Sequence, residues 1–313
     1  MRLIFLGTPA FAVPTLHAIV RAGHEVAAVL TQPDRPRGRG QNAAASAVKQ
    51  AALALGLTVY QPERVRRPEA VEYLRGMASD AMVVVGYGQI IPQVVIDLAP
   101  LGIINVHASL LPKYRGAGPV QWAIVRGETR TGVTTMRINA GLDTGDMLLK
   151  AETEIGSEEN AVELGSRLAA MGAELLVETL EGLLEGRIVP QKQDDSQATL
   201  APLLKKEDGA IDWTGTAQAI HNRVRGLQPW PGAQTSFRGA PLHLWRTRIA
   251  GDVLRAEKVT GQVVSVKPLV VACGEGSLEL LEVQLEGRKR ISAADFANGQ
   301  RLTDNDVLGE LPI

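Results

Sequence analysis

The sequence predicts an α/β chain in which a doubly wound, mostly parallel sheet is followed by a small β-barrel or sandwich. Three observations carry this. Short continuous apolar runs at residues 3–6, 26–30, 82–85 and 103–106 read as strands buried on both faces, as a parallel sheet requires. Between them, residues 11–21, 43–55 and 69–77 repeat apolar positions at three- and four-residue steps, so strand and helix alternate as in βαβ units. Beyond Pro190 the alternation stops, and short strand-like segments divided by Gly, Pro or polar residues take over.

Composition sets bounds on function. The chain has 313 residues, 45% of them hydrophobic, enough for two cores when domains commonly run about 100–200 residues. Its 33 basic and 34 acidic residues leave a net charge of -1, so a polyanionic partner would have to be held by local patches. Cys273 is the sole cysteine, which excludes an intramolecular disulfide and a cysteine-based structural zinc site and fits a reducing cytoplasm. No apolar run approaches the roughly 20 residues that span a bilayer. The apolar N-terminal run is short and is followed by Pro9 and Pro14, so it reads as a first buried strand and not as a secretory signal. Neither a membrane nor a metal is expected as a partner, and the expected state is a monomer.

Taken in order, residues 3–6 end at Gly7-Thr8-Pro9, a turn into a helix that places Phe11, Leu16, Ile19 and Val20 at near-helical spacing. Thr8 and Pro9 stand where a dinucleotide fingerprint needs further glycine, so a nicotinamide oxidoreductase fits poorly. After the second run, a Pro/Gly loop carries Arg35, Arg37 and Arg39 with one acid, Asp34. It reads either as solvated surface or as guanidinium forks that order against phosphates. Val59-Tyr60 ends a third strand, 119–126 is a short helix, and 133–138 and 147–149 are extended. Leu164, Leu168, Met171, Leu175, Leu176, Leu180 and Leu183 mark a long amphipathic packing helix, with Ser157 as its N-cap before an acidic first turn.

The polar segment 190–206 reads as a linker between domains at 1–189 and 207–313. The second begins with a helix at 217–224 and a rigid Pro229-Trp230-Pro231-Gly232 turn. Segments 233–237, 241–249, 261–266, 269–273 and 277–283 then read as strands of a small barrel or sandwich. From Glu207 onward there are 12 basic and 13 acidic residues, so this part is not basic overall. Arg246, Arg248, Arg288, Lys289 and Arg290 would form one face if the strands bring them together; surface charge without a partner is an equal reading.

The chemistry concentrates at the end of the 103–106 run. Asn105 and His107, two residues apart, project from one face of a strand, near the carboxyl end where open α/β sheets bind ligands. Asp143, on the turn Gly141-Leu142-Asp143-Thr144-Gly145, is a carboxylate that the fold could bring up to orient His107. Amide, imidazole and carboxylate together point to acyl transfer without a protein nucleophile. Two donors would stabilise an oxyanion, and the carboxylate would set the imidazole tautomer or relay a proton. Singly these pieces say little, because a lone histidine is more often a packed residue and the Gly-flanked aspartate is an ordinary turn. Ser109 follows His107 closely but lacks the Gly-x-Ser-x-Gly elbow of a hydrolase.

In combination they are specific. The ordered set Asn105-x-His107-x-Ser109-Leu110-Leu111-Pro112, Tyr114-Arg115-Gly116-Ala117-Gly118-Pro119 and Gly141-Leu142-Asp143-Thr144-Gly145-Asp146 resembles the folate-dependent formyltransferases. The similarity extends over nearly the whole chain, through Ile211-Asp212-Trp213 and Pro229-Trp230-Pro231-Gly232. It implies a Rossmann-like catalytic domain at 1–189 and an OB-like tRNA-binding domain at 207–313. The implied reaction carries the formyl group of 10-formyltetrahydrofolate to the amino group of methionyl-initiator tRNA, without metal. Asn105, His107 and Asp143 would be catalytic. Gly88, Gln89, Ile90 and Ile91 would grip the flat pterin of the folate through backbone polar groups and apolar side chains, with Ser109, Leu110, Leu111 and Pro112 as the adjoining wall. Arg35, Arg37 and Arg39 would meet the tRNA acceptor end. Family members often follow Gly-Arg-Gly there with two lysines, whereas Gln41 and Asn42 stand here, so Arg39 is the residue carried over. The nearest rival is a formyltransferase acting on a nucleotide-linked amino sugar with the same three residues; the C-terminal domain and the arginine loop favour tRNA. Two others are a hydrolase releasing formate from the same folate and a tRNA-binding module with an idle first domain.

Overall fold

The computed structural model describes residues 1–37, 42–250 and 259–309. In chain order its elements are β1 (Arg2–Gly7), α1 (Val13–Arg21), β2 (Glu25–Leu30), β3 (Arg35–Arg37), β4 (Asn42–Ala44), α2 (Ala47–Ala54), β5 (Val59–Tyr60), α3 (Pro68–Gly76), β6 (Ala81–Val85), α4 (Gln93–Ile96), β7 (Ile103–His107), α5 (Pro119–Val125), β8 (Arg130–Arg137), β9 (Met147–Glu154) and α6 (Ala161–Leu184). There follow α7 (Ala217–Gly226), β10 (Ala233–Phe237), β11 (Ala240–Ile249), β12 (Val263–Val266), β13 (Leu269–Ala272), β14 (Ser277–Leu285), β15 (Ile291–Ser292) and α8 (Ala293–Gln300). The chain divides into two units: Met1–Gly116, Arg130–Glu154 and Gly165–Ala201 form one, and Ala117–Thr129, Ile155–Leu164 and Pro202 onward form the other. Among the described residues no helix is long and apolar enough to cross a membrane.

In the first unit, seven strands among the described residues lie in the order β5-β2-β1-β6-β7-β8-β9. From β5 to β7 the pairings are parallel, and β8 and β9 add an antiparallel edge. Leu3, Ile4, Phe5, Leu6, Met82 and Val83 are wholly buried, which is why these strands read as continuous apolar runs and not as alternating ones. Strand order reverses at β1, between β2 and β6, and the turns leaving these strands are tied together. Thr8 Oγ1 donates to the Tyr87 carbonyl at 3.0 Å, and the Gln32 carboxamide donates to the same oxygen at 3.2 Å. Gly86, at φ +57, lets Pro9 close over it; a Cβ there would lie 2.9 Å from the proline ring.

Three elements begin later than the sequence predicts, α1 because a 3-10 turn comes first and α2 and α6 because a polar side chain caps the first turn. A 3-10 turn at Ala10–Ala12 precedes α1. Ser46 Oγ accepts from the Lys49 N–H at 3.0 Å and starts α2 at Ala47, leaving Asn42–Ala44 to pair with Arg35–Arg37. At α6 the cap is Asn160 and not Ser157. Asn160 Oδ1 accepts from the N–H groups of Val162 and Glu163 at 2.9 and 3.1 Å, while Glu163 Oε2 accepts the Asn160 N–H at 3.0 Å, a reciprocal capping box.

In the second unit, six strands among the described residues form an antiparallel sheet ordered β10-β11-β14-β13-β12, with β15 on β14. Its two outer strands are joined through Val307 and Leu308. Phe237, at the end of β10, bridges Leu308, and Gln262, just before β12, bridges Val307. The Leu308 N–H donates to the Gly261 carbonyl and the Gly309 N–H to the Ser236 carbonyl, each at 2.8 Å. This linkage removes the open edges and makes the sheet barrel-like. Trp213, Ile220, Val224, Phe237, Leu244 and Phe296 fill its core, and the Trp213 indole N–H is satisfied by Thr235 Oγ1 at 2.9 Å.

The cap assignment is testable. Asn160→Ala is expected to lower stability by about 1 kcal/mol, read as a lower urea midpoint at unchanged slope, whereas Ser157→Ala should stay within about 0.5 kcal/mol.

Candidate active site

Burial of β7 between β6 and β8 presents Asn105 and His107 from one face at the carboxyl end of the sheet. Both are buried, at 9% and 6% exposure. His107 Nε2 lies 2.9 Å from the Tyr114 carbonyl. A carbonyl oxygen only accepts, so Nε2 carries a hydrogen and donates it, and the partner assigns the tautomer. That leaves Nδ1 toward Asp143, whose Oδ2 is 3.7 Å away, farther than a direct hydrogen bond spans. The same carboxylate oxygen accepts the Gly116 N–H at 2.8 Å. The imidazole is therefore oriented by Tyr114, while Asp143 faces the other ring nitrogen across a narrow gap.

The structure thus brings the three sequence-predicted residues together and adds partners that sequence reading did not name. Tyr114 at φ +61 and Asp143 at φ +50 both occupy the left-handed region, so backbone strain is gathered at this site. Gln193 Nε2 donates to the carbonyls of Asp143 and Gly145 at 2.7 and 2.8 Å, and Arg115 donates through Nε and Nη2 to Gln193 Oε1 at 3.0 and 2.8 Å. Tyr114 and Gly116 act through backbone atoms and leave no trace in residue type. Gln193 falls in the stretch whose lost apolar periodicity reads as a linker.

The segment after His107 is bound to the sheet edge. Thr134 Oγ1 donates to the Ser109 carbonyl at 2.7 Å and accepts the Leu111 N–H at 3.1 Å. Lys150 Nζ donates to the Leu111 carbonyl at 2.5 Å, and burial lowers the pKa of its ammonium from the usual value. Ser109 Oγ donates to the Lys113 carbonyl at 2.6 Å, so its hydrogen is directed there and not to the imidazole, as a nucleophile's would be. Leu110 packs so closely over Gly132 that a Cβ there would come within 2.6 Å of it. Leu111 is buried with Met136 and Met147, and Pro112 is half-buried.

The loop after β6 splits its four residues between two tasks. Gln89 is occupied locally: its Oε1 accepts the Val65 N–H at 2.7 Å and its Nε2 donates to the Pro62 and Glu63 carbonyls at 3.2 and 3.3 Å. Ile91 is buried in the core beside Tyr87 and Val95, whereas Ile90 is 93% exposed. Gly88, Gln89 and Ile90 line a cavity of about 340 Å³ together with Arg64 and Arg66. The two arginines were visible in sequence as part of a basic run, Arg64-Val65-Arg66-Arg67.

Of the arginine loop, Arg35 is exposed and opposes Ala44 on β4, and Arg37 opposes Asn42 in the same ladder. Arg39 lies outside the described residues. Asp34, the loop's acid, is bound by Lys49 at 2.5 Å and Gln61 at 2.8 Å, and these hydrogen bonds lower its pKa. In the second unit the antiparallel register sets Arg246 opposite Glu282 and Arg248 opposite Glu279, with ion-pair distances of 3.2 and 3.5 Å. Arg290 also pairs with Glu282 and lies over the Trp245 ring at 5.1 Å. These three arginines therefore share two glutamates instead of forming a free basic stripe.

Comparison with known proteins gives one answer across the chain. A family model described as Formyl transferase matches residues 1–180, and one described as Formyl transferase, C-terminal domain, matches 203–301. The methionyl-tRNA formyltransferase of Solibacter usitatus is 78% identical over 311 residues, 99% of both chains. That of Koribacter versatilis is 56% identical over 313 residues, again 99% of each. Among solved structures, an N-formyltransferase from Helicobacter canadensis in complex with folinic acid and dTDP-3-aminofucose matches with TM-score 0.65 at 16% identity, covering 89% of this chain and 98% of that one. At that identity the likeness is one of fold.

Thr134→Val should unhook the wall from the sheet. It leaves the buried Leu111 N–H unpaired, an expected cost of about 1–3 kcal/mol seen as a lower melting midpoint, while Thr134→Ser keeps both bonds and most of the stability.

Proposed function

The chain belongs to the formyl transferase family, and we propose that it carries the formyl group of 10-formyltetrahydrofolate to the amino group of methionyl-initiator tRNA. Identity of 78% across 99% of both chains supports the acceptor. The chemistry is supported by one observation above all: a buried imidazole whose Nδ1 edge faces a carboxylate oxygen across 3.7 Å, with Asn105 on the same strand face. The folate complex of the distant Helicobacter canadensis relative agrees with a folate-derived donor.

In the reaction so read, the neutral amine attacks the formyl carbon, a C–N bond forms, and negative charge gathers on the formyl oxygen. The Asn105 carboxamide and a proton at His107 Nδ1 stabilise that oxygen, in a buried setting where such donors count for more than in water. The Tyr114 carbonyl keeps Nε2 occupied, so Nδ1 is the nitrogen left for this role. Asp143 takes the proton leaving the attacking nitrogen, directly or through a water. Collapse breaks the bond from the formyl carbon to N10 of the folate, and N10 takes up the proton, leaving tetrahydrofolate and the formylated aminoacyl-tRNA.

Residues 1–189 would hold donor and chemistry, with Gly88, Gln89, Ile90 and Ile91 and the Ser109, Leu110, Leu111 and Pro112 wall around the folate. Residues 207–313, helped by Arg35, Arg37 and Arg39, would hold the tRNA. The enzyme is expected to act as a monomer in the cytoplasm.

Supplying a formyl-folate donor with either charged initiator tRNA or an amino-sugar nucleotide tests the reading. Label should pass to the tRNA alone; formylated sugar, or formate released without an acceptor, would overturn it. His107→Ala should cost at least about 100-fold in kcat while tRNA binding in a filter assay persists. Arg39→Ala should raise the KM for tRNA by about 10-fold and leave that for the folate within about twofold, the size expected for one lost charge-assisted contact.

A further inference from the structure

We propose that Gln193 and Arg115 are positioning residues for this reaction: together they hold the Asp143 loop and the 114–116 loop at the separation that sets carboxylate against imidazole. This rests on the role given to Asp143 above. Gln193 has two N–H hydrogens to give, and both go to the Asp143 loop, one to the Asp143 carbonyl at 2.7 Å and one to the Gly145 carbonyl at 2.8 Å. Its oxygen accepts a two-pronged donation from Arg115 Nε and Nη2 at 3.0 and 2.8 Å. Since a guanidinium only donates and carbonyls only accept, the carboxamide has one orientation that satisfies every contact.

Arg115 is itself fixed. It is 7% exposed, its N–H donates to the Thr199 carbonyl at 2.8 Å, and its own carbonyl accepts the Ala201 N–H at 2.7 Å. Nη2 also reaches Asp195 at 2.7 Å. On its two sides along the chain are the groups that hold the reacting pair, the Tyr114 carbonyl on His107 and the Gly116 N–H on Asp143. One guanidinium therefore ties the strand-end loop to the aspartate loop through a single glutamine.

The aspartate loop needs such a tie. Asp143 sits at φ +50, and Gly145 approaches the Arg137 carbonyl so closely that a Cβ would fall 1.7 Å from it. The left-handed backbone at Asp143 is a departure a turn of this length relaxes when its carbonyls are released, and the close approach at Gly145 leaves room for no side chain there. Asp143 and Gly145 are the residues whose carbonyls Gln193 grips.

The test compares the full-length wild type with Gln193→Met, Gln193→Glu, Asp143→Asn and the double variant Gln193→Met with Asp143→Asn, in single-turnover and steady-state formyl transfer to methionyl-tRNA. Gln193→Met keeps side-chain length without the donors. Its kcat is expected to fall about 10- to 100-fold, as for a reacting group displaced by about 1 Å, with both KM values within about threefold. Gln193→Glu keeps an acceptor for Arg115 but turns carboxylate oxygens to the two carbonyls, so it should be as impaired as Gln193→Met. On the Asp143→Asn background Gln193→Met should cost less than about threefold more, because residues acting as one unit are not additive. A full multiplicative loss in the double variant, a change confined to KM, or a Gln193→Glu enzyme as active as wild type would each overturn the positioning role while leaving Asp143 in place. An Asp143→Asn enzyme with wild-type kcat would overturn the aspartate's role itself, and with it this inference.

Discussion

One hydrogen bond, from His107 Nε2 to the Tyr114 carbonyl, decides what the site can do. A backbone oxygen has no protonation state of its own, so the bond fixes the ring's orientation and commits Nε2 as donor whatever happens at Nδ1. Nδ1 is then the edge on which a proton can be held or released, facing Asp143 across 3.7 Å. Asp143 is itself held by the Gly116 N–H, so its carboxylate stays beside the ring without a direct hydrogen bond to it.

That arrangement is possible because the fold supplies rigidity below the site and strain within it. Strand β7 lies inside the sheet between the wholly apolar β6 and the largely buried β8, so the position of Asn105 and His107 is set by packing that tolerates little movement. Above the sheet the chain turns through left-handed backbone at Tyr114 and Asp143. Thr134, Lys150, Arg115 and Gln193 fasten these turns with side-chain bonds to backbone or to one another. Geometry that the backbone alone would not keep is kept by polar contacts.

The parts legible in the sequence are those written in side-chain period. Continuous apolar runs gave β1, β6 and β7 because parallel strands bury both faces, and a spacing of two put Asn105 and His107 on one face. Asp143 was reachable only through the family pattern, since nothing in a Gly-flanked turn states what it will face. The Tyr114 carbonyl and Gly116 N–H were not legible at all, because backbone groups are the same in every residue. Gln193 was hidden by its setting: its neighbours pair through polar side chains, so the segment shows no apolar period and resembles a linker. At α6, Ser157 and Asn160 both suit a cap, and the reciprocal Asn160–Glu163 bonds, not composition, decide between them. In the barrel, cross-strand register put glutamates opposite Arg246 and Arg248, a pairing that linear charge counts do not display.

The most direct measurement is a crystal structure of the protein with a stable formyl-folate analogue bound. The formyl oxygen is expected at about 3 Å from both His107 Nδ1 and the Asn105 carboxamide nitrogen, with Nε2 still on the Tyr114 carbonyl and the Asp143 carboxylate facing the side from which an amine would approach. A formyl group seated away from the end of β7, or one whose oxygen meets neither donor, would contradict it.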